Sequence, residues 1–232
     1  LRLWVAQSDY TVDLRIGKEI LKGTADSYRR LRNTLRFTLG SLAGFDEAER
    51  VAPEEMPELE RWVLHRLAEL DHTVRRGYDR YDFQGVFQTL FTFCTVDLSA
   101  FYFDIRKDAL YCDVPSSFRR RATRTVLDEV FSRLTAWLAP IMPFTAEEAW
   151  LTRFPESVSV HLRTFPETPD GWRDDFAGEE VATLREARAV VTGALEVARR
   201  DKVIGAALEA SPRVFVADEA LLAKLQAVDF AE

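Results

Sequence analysis

Apolar residues recur at helical spacing through the first two thirds of the chain. In the first segment, from about residue 17 to residue 42, they return every three or four positions and so share one helix face. The members of this face are Ile20, Leu21, Tyr28, Leu31, Leu35, Leu39 and Leu42. A second segment with this spacing begins at Pro57, a favourable first helical residue, and continues to Tyr78. The pattern predicts two long amphipathic helices.

Further amphipathic helices follow along the chain. Asp82 is a suitable N-cap for the third, which has an aromatic-rich inner face. The fourth begins after Pro115 and ends before Pro140, and a short fifth helix follows Pro143. Four long amphipathic helices joined by modest loops are typical of a bundle. We therefore predict a mainly α fold, an antiparallel helical bundle, over residues 1–155.

The pattern changes in the last third of the chain. Residues 157–162 alternate between polar and apolar types and predict a strand, as do residues 213–216. Helical spacing returns at about 178–201 and briefly at 219–226. We therefore predict a second, small α+β module over residues 156–232.

Composition narrows the class of protein. Hydrophobic residues make up 47% and charged residues 30% of the chain, which excludes a disordered chain. No apolar run approaches the roughly 18 residues that cross a bilayer, so we expect no membrane partner. The two cysteines, Cys94 and Cys112, are too few for a disulfide framework, which favours the reducing cytoplasm. Because residue 1 is Leu1 rather than Met, we expect the chain to be part of a longer protein.

Charge is unevenly distributed. The net charge of −7 argues against nonspecific nucleic-acid binding by the whole surface. Even so, seven basic and two acidic residues lie between Arg15 and Arg36, and six basic and two acidic lie between Arg106 and Arg124. Basic patches on an acidic body confine a polyanion to one face, although charge runs also occur on merely solvated helices.

The basic residues of the first helix form a stripe beside its apolar face. On a helical wheel with about 100° per residue and Tyr28 set at 0°, these residues lie at angles of roughly 40° to 140°. The basic stripe comprises Lys18, Lys22, Arg29, Arg32, Arg36 and the adjacent Asn33. Because planar, forked guanidinium groups suit phosphate oxygens, the stripe is a candidate polyanion-binding surface.

Other residues are candidates to extend this surface. Asn33 and Phe37 are placed to hydrogen bond to, or stack on, an unpaired base. Their alternative interpretations are a surface amide and a ring packed on a neighbouring domain. Arg106, Lys107 and residues 119–121 add cations from neighbouring helices.

Candidates for catalysis are few. His65 and His72 are seven residues apart, whereas helical ligand pairs are usually three or four apart, so we interpret both as exposed helix residues. Cys94 lies on an apolar face and is expected in the core. No glycine-rich phosphate loop, serine-nucleophile motif or zinc signature is present in the sequence. The sequence therefore favours a binding module over a free-standing enzyme.

Four stretches of the chain carry a family resemblance. They are, in order, LRLWVAQSDYTVDLRIGKEIL, YRRLRNTLRFTLGSL, VDLSAFYFDIRKDALYC and LAPIMPFTAEEAW. Together with the later run ARRDKVIGAALEA, they resemble the C-terminal half of bacterial isoleucyl-tRNA synthetases. Residues 98–103 lack the Cys-Asp-Trp-Tyr-like string typical of related valyl enzymes, which favours the isoleucyl member.

The resemblance implies a helical anticodon-binding domain that follows the catalytic domain of a class I synthetase. Such a domain binds isoleucine tRNA, which the parent enzyme aminoacylates with ATP and Mg. The adenylate-forming signatures, His-x-Gly-His and Lys-Met-Ser-Lys-Ser, are absent from this sequence, as is the editing domain. We therefore expect the chain to need no cofactor, to contact the catalytic domain of the same polypeptide, and to be inactive alone. Many members carry a zinc module that would lie beyond residue 232.

A rival interpretation from another class remains open. A helical protein-interaction module would use the same basic stripe to bind an acidic partner protein. Relative affinity for tRNA and for an acidic protein separates the two interpretations.

We predict that the chain folds without metal, because its apolar helix faces suffice for a bundle core and no four Cys or His residues stand at ligand spacing. Helicity by circular dichroism and the melting temperature should be unchanged by a chelator. Stoichiometric bound zinc, or unfolding on chelation, would contradict this prediction.

Overall fold

Long helices carry the fold, as the apolar spacing predicts. The computed structural model describes residues 1–206 and 209–227; residues 207–208 of the ARRDKVIGAALEA run and residues 228–232 of the predicted module lie outside the described residues. The described chain divides into two units, Leu1–Asp174 and from Asp175 onward. Helices of the first unit are α1 (Arg2–Gln7), α2 (Lys18–Ser41), α3 (Glu58–Asp79), α4 (Phe83–Thr92), α5 (Phe103–Cys112), α6 (Phe118–Leu138) and α7 (Pro143–Arg153). The second unit contains α8 (Asp175–Arg200) and α9 (Glu219–Ala227). The prediction of a mainly α fold is confirmed.

Helix α6 lies at the centre of the first unit. It contacts α2, α3, α5 and α7, and most of its residues from Ala122 to Leu138 are buried. Helix α2 is buried only in its C-terminal half, from Leu31 onward. Ile20 and Leu21, predicted for the buried face, are exposed because the bundle does not cover the N-terminal half of α2.

Helices α4 and α5 are joined by a π-helical segment, Phe93–Tyr102, into one continuous helix. Asp82 caps it, as predicted, by accepting a hydrogen bond from the Gly85 amide at 2.9 Å. This helix is the one span in the described part of the chain that is long and apolar enough to cross a membrane. Within the unit, 56% of its most apolar window is buried, a property that core helices share.

A buried ion pair holds three helices together. Glu60 on α3 is fully buried, and its carboxylate accepts hydrogen bonds from Arg106 Nε at 2.8 Å and Nη2 at 2.9 Å. The hydroxyls of Tyr102 and Thr123 also donate to Glu60, at 3.0 and 3.2 Å. Burial of both charges requires such complete hydrogen bonding, because each ion loses its hydration. The pair therefore sets how α3, α5 and α6 meet.

The first unit extends beyond the boundary that we predict after residue 155. Arg133 on α6 donates to the carbonyl of Glu167 at 2.8 Å, and its guanidinium lies 4.2 Å from the centre of the Trp172 ring. His65 is buried, not exposed as predicted, and its Nδ1 accepts a hydrogen bond from the Asp174 amide at 3.0 Å. These contacts attach residues 156–174 to the helices. They join residues far apart in the sequence, so the local sequence pattern does not predict them.

Neither predicted strand forms. Val160–Leu162 make a single 3-10 turn, because the Ser159 hydroxyl accepts from the His161 amide and the Val160 amide donates to the Glu147 carboxylate. Residues 213–216 are irregular, and the described ranges 1–206 and 209–227 contain no strand. Alternating polarity cannot by itself supply a partner strand, so the α+β prediction is corrected to helices and turns.

Removing one member of the buried ion pair should destabilise the fold strongly. We predict that Arg106→Met lowers the free energy of unfolding by about 3–5 kcal/mol, because it leaves the buried Glu60 charge without its partner. Urea unfolding followed by circular dichroism measures the change.

The neighbouring residue supplies the matched control. Lys107 forms an exposed pair with Asp104 at 3.0 Å, so Lys107→Met should cost only about 0–1 kcal/mol. The double variant Glu60→Gln, Arg106→Met should recover much of the lost stability. If Arg106→Met and Lys107→Met lower the free energy of unfolding equally, the proposed contribution of the buried pair to stability is ruled out.

Candidate nucleic-acid interface

The basic stripe lies along the solvent-facing side of α2. All of its members are exposed: Lys18, Lys22, Arg29, Arg32, Asn33 and Arg36. From first to last they extend about 27 Å at 1.5 Å per residue. Packing of Leu31 and Leu35 against the bundle holds the C-terminal part of the helix in one rotation, so the side chains of that part point outward together.

Few acidic residues neutralise this stripe. Arg29 is paired with Asp26 on its own helix, and Arg32 lies 4.0 Å from Glu148 on α7. Within the part of the chain that the structure describes, Lys18, Lys22 and Arg36 have no ion-pair partner. Cations that are exposed and unpaired are available to an external anion.

A shallow groove borders the stripe on the α7 side. It has a volume of about 100 Å³, with Leu35 and Leu39 of α2 among its lining residues. Arg32 and Arg36 also line this groove, together with Glu148 of α7. The two helices are joined by a hydrogen bond of 3.1 Å between the hydroxyls of Tyr28 and Thr145, and Thr145 also lines the groove. Charged groups and an apolar surface therefore meet at this border.

An aromatic cluster borders the stripe on the α5 side. The half-buried Phe37 ring stacks on Phe103, with ring centres 4.2 Å apart and planes at 20°. The Tyr111 ring meets Phe37 edge-on, at 6.5 Å and 84°. One face of the Phe37 ring is therefore covered within its own unit, and its stacking on a base stays a prediction.

The basic residues between Arg106 and Arg124 form a second basic cluster. Most of them make contacts within the fold. Arg106 is only 5% exposed and bound to Glu60, so it is removed from the candidate surface. Lys107 remains exposed, in its pair with Asp104. The others bind acceptors of this chain: Arg119 the Asp113 carboxylate, Arg120 the Leu110 carbonyl, Arg121 the Glu49 carbonyl and Arg124 the Glu49 carboxylate. The bond from Arg119 lowers the pKa of the Asp113 carboxyl, which keeps that pair charged.

A larger cleft, of about 670 Å³, lies beside the C-terminal half of α3. Its charges are mixed: Arg75, Arg76, Arg80 and Arg173 alternate with Asp71, Asp79 and Asp170. Arg75 is bound to Asp71 at 2.8 Å and to the carbonyl of Pro166 at 2.7 Å. This cleft does not present a row of cations comparable to that on α2.

The described residues offer little to metal or covalent chemistry. No group of three or more His, Cys, Asp or Glu residues is arranged to hold a metal ion within residues 1–206 and 209–227. Cys94 is buried as predicted, and burial raises the pKa of its thiol to about 12. A thiol with this pKa stays protonated at neutral pH and is a poor nucleophile.

Comparison with known proteins identifies the class of binding domain. Residues 60–214 match the family described as the anticodon-binding domain of tRNA ligase. The chain belongs to this family. The matched range of the anticodon-binding domain begins at the third residue of α3, so α2 and its stripe precede it.

Similarity to individual proteins extends over the whole chain and so includes the stripe. The chain is 64% identical over 231 residues to the isoleucine--tRNA ligase of Ruegeria pomeroyi, and the match covers 99% of the chain. It is 56% identical to that of Brucella abortus biovar 1 and 55% identical to that of Agrobacterium fabrum, each over 232 residues. The chain spans about a quarter of the length of these relatives.

Sequence reasoning missed two residues at the borders of the stripe. Tyr111 is 70% exposed and Glu148 contacts Arg32, yet they lie on α5 and α7, far from α2 in the sequence. The only local signal for Tyr111 was its spacing in the sequence. It follows Phe103 by eight residues and Lys107 by four, which places the three on adjoining faces of one helix.

Proposed function

We propose that this chain binds isoleucine tRNA and positions it for ATP-dependent aminoacylation by a catalytic domain of the same polypeptide. The observation that carries the proposal is the row of exposed cations on α2, three of them unpaired within the described residues. Family membership supports a tRNA anticodon stem or loop as the polyanion. The names of the relatives support isoleucine tRNA as the RNA that is bound. The proposal also places the aminoacylation reaction in the cytoplasm.

The remainder of the polypeptide is the proposed second partner. Apolar side chains are exposed before and along the N-terminal half of α2: Val12, Leu14, Ile16, Ile20 and Leu21. A concentration of exposed apolar side chains in one short segment is typical of a surface that another domain covers. The alternative function, a protein-interaction module that binds an acidic partner, is favoured by the same unpaired cations of the basic stripe.

A salt titration tests the proposal directly. Binding of isoleucine tRNA and of a non-cognate tRNA should be measured by gel shift at several salt concentrations, with an acidic protein as a rival ligand. Because phosphate contacts release counterions, log affinity should fall with log salt by roughly 0.7–0.9 per contact. Binding of the acidic protein but not of tRNA would favour the interaction module.

We predict that Arg29→Ala, Arg32→Ala and Arg36→Ala together weaken tRNA binding and flatten the salt slope by about one unit for each phosphate that is no longer neutralised. Arg36 should contribute most, since Arg29 and Arg32 already face carboxylates. In the full-length enzyme, the triple variant should lose aminoacylation while ATP–pyrophosphate exchange survives.

A matched single substitution controls for charge alone. Arg76 on α3 is exposed and, like Arg36, lacks an ion-pair partner among the described residues. Arg76→Ala should leave the salt slope at its wild-type value, whereas Arg36→Ala should flatten it. If both variants keep wild-type affinity and slope, with helicity intact, the stripe is only a solvated surface.

We also predict that the purified chain does not catalyse isoleucine-dependent ATP–pyrophosphate exchange. Adenylate formation needs groups that hold the triphosphate, and the sequence contains no phosphate-binding loop or adenylate-forming signature. Exchange above the level of a no-enzyme blank would contradict the assignment of this chain to RNA binding.

A further inference from the structure

An exposed aromatic ring lies at the edge of the basic stripe. Tyr111, in the last turn of α5, is 70% exposed. Its hydroxyl has no hydrogen bond within the described residues. The feature is an apolar face presented to solvent beside a row of cations.

The ring is held in place from below. Tyr111 meets Phe37 edge-on at 6.5 Å, and Phe37 is itself stacked on Phe103 at 4.2 Å. Phe103 is only 6% exposed, so this short series of rings runs from the core to the surface. A supported ring loses little conformational entropy when a ligand packs on it.

The contact with Phe37 also places the ring next to the stripe. Phe37 follows Arg36 directly and lies one helical turn after Asn33, so the Tyr111 ring adjoins the C-terminal end of the row of cations. On α5, Lys107 precedes Tyr111 by one turn and is also exposed. Donors for phosphate and an aromatic surface are therefore combined in one place.

We propose that Tyr111 is the stacking platform for an unpaired base of the RNA whose phosphates contact the basic stripe. This inference rests on the proposed function. Recognition of single-stranded RNA combines cations that follow the backbone with aromatic rings on which bases stack. Unpaired loop bases are available for such stacking, whereas bases within a duplex are not.

The test separates stacking from charge. Binding of an anticodon stem–loop hairpin should be compared with binding of the same hairpin carrying abasic loop nucleotides, which keep the phosphates and lack the bases. Tyr111→Leu should weaken binding of the intact hairpin by roughly 5- to 150-fold and leave the abasic hairpin unaffected. Tyr111→Phe should bind like wild type, and the salt slope should be unchanged in both variants.

Tyr81 supplies the matched control, since it is 66% exposed at the turn between α3 and α4, outside the stripe. Tyr81→Leu should bind both hairpins as wild type does. If Tyr111→Leu keeps wild-type affinity for the intact hairpin, or weakens binding of both hairpins equally, the stacking role is overturned and RNA binding by the stripe stands. If the wild-type chain binds neither hairpin, the proposed function fails, and the stacking role fails with it.

Discussion

The buried pair between Glu60 and Arg106 is the interaction on which the candidate interface depends. A carboxylate and a guanidinium that have lost their hydration must keep their mutual geometry, and this fixes the rotation of α5 about its axis. With Arg106 directed at α3, Phe103 and Tyr111 fall roughly 60° and 140° further round the helix. Both rings therefore lie towards α2, where they contact the ring of Phe37. The orientation of the aromatic border follows from a charge in the core.

The two basic segments of the sequence have different roles. Most of the cations from residue 106 to residue 124 bind carboxylates and carbonyls of the same unit, so they stabilise the fold. Within the described residues, the cations of α2 pair only with Asp26 and Glu148, and Lys18, Lys22 and Arg36, towards the two ends of the stripe, have no ion-pair partner. An acidic chain can in this way keep a local positive surface, because its excess carboxylates are elsewhere. The allocation of partners, more than the count of charges, distinguishes the two segments.

Much of the fold was accessible from the sequence, and the interface only partly. The helix from Lys18 to Ser41 and the Asp82 cap follow from local spacing and capping chemistry, which act over a few residues. The strand at 157–162 failed because alternation specifies a strand only when a partner strand pairs with it. Burial of His65 depends on an amide 109 residues away, a contact that no window of sequence contains.

Local sequence determined that the cations of α2 share one side of a helix, since helical geometry alone converts their spacing into a row. It also determined the family, through runs of residues that span the chain. Tertiary structure decided which cations stay available: Arg106 was removed by Glu60, while Arg36 was left unpaired within the described residues. It likewise decided that Phe37 is half-buried and Tyr111 exposed. Both outcomes depend on contacts between helices, because burial is a property of the packed bundle and not of any single helix.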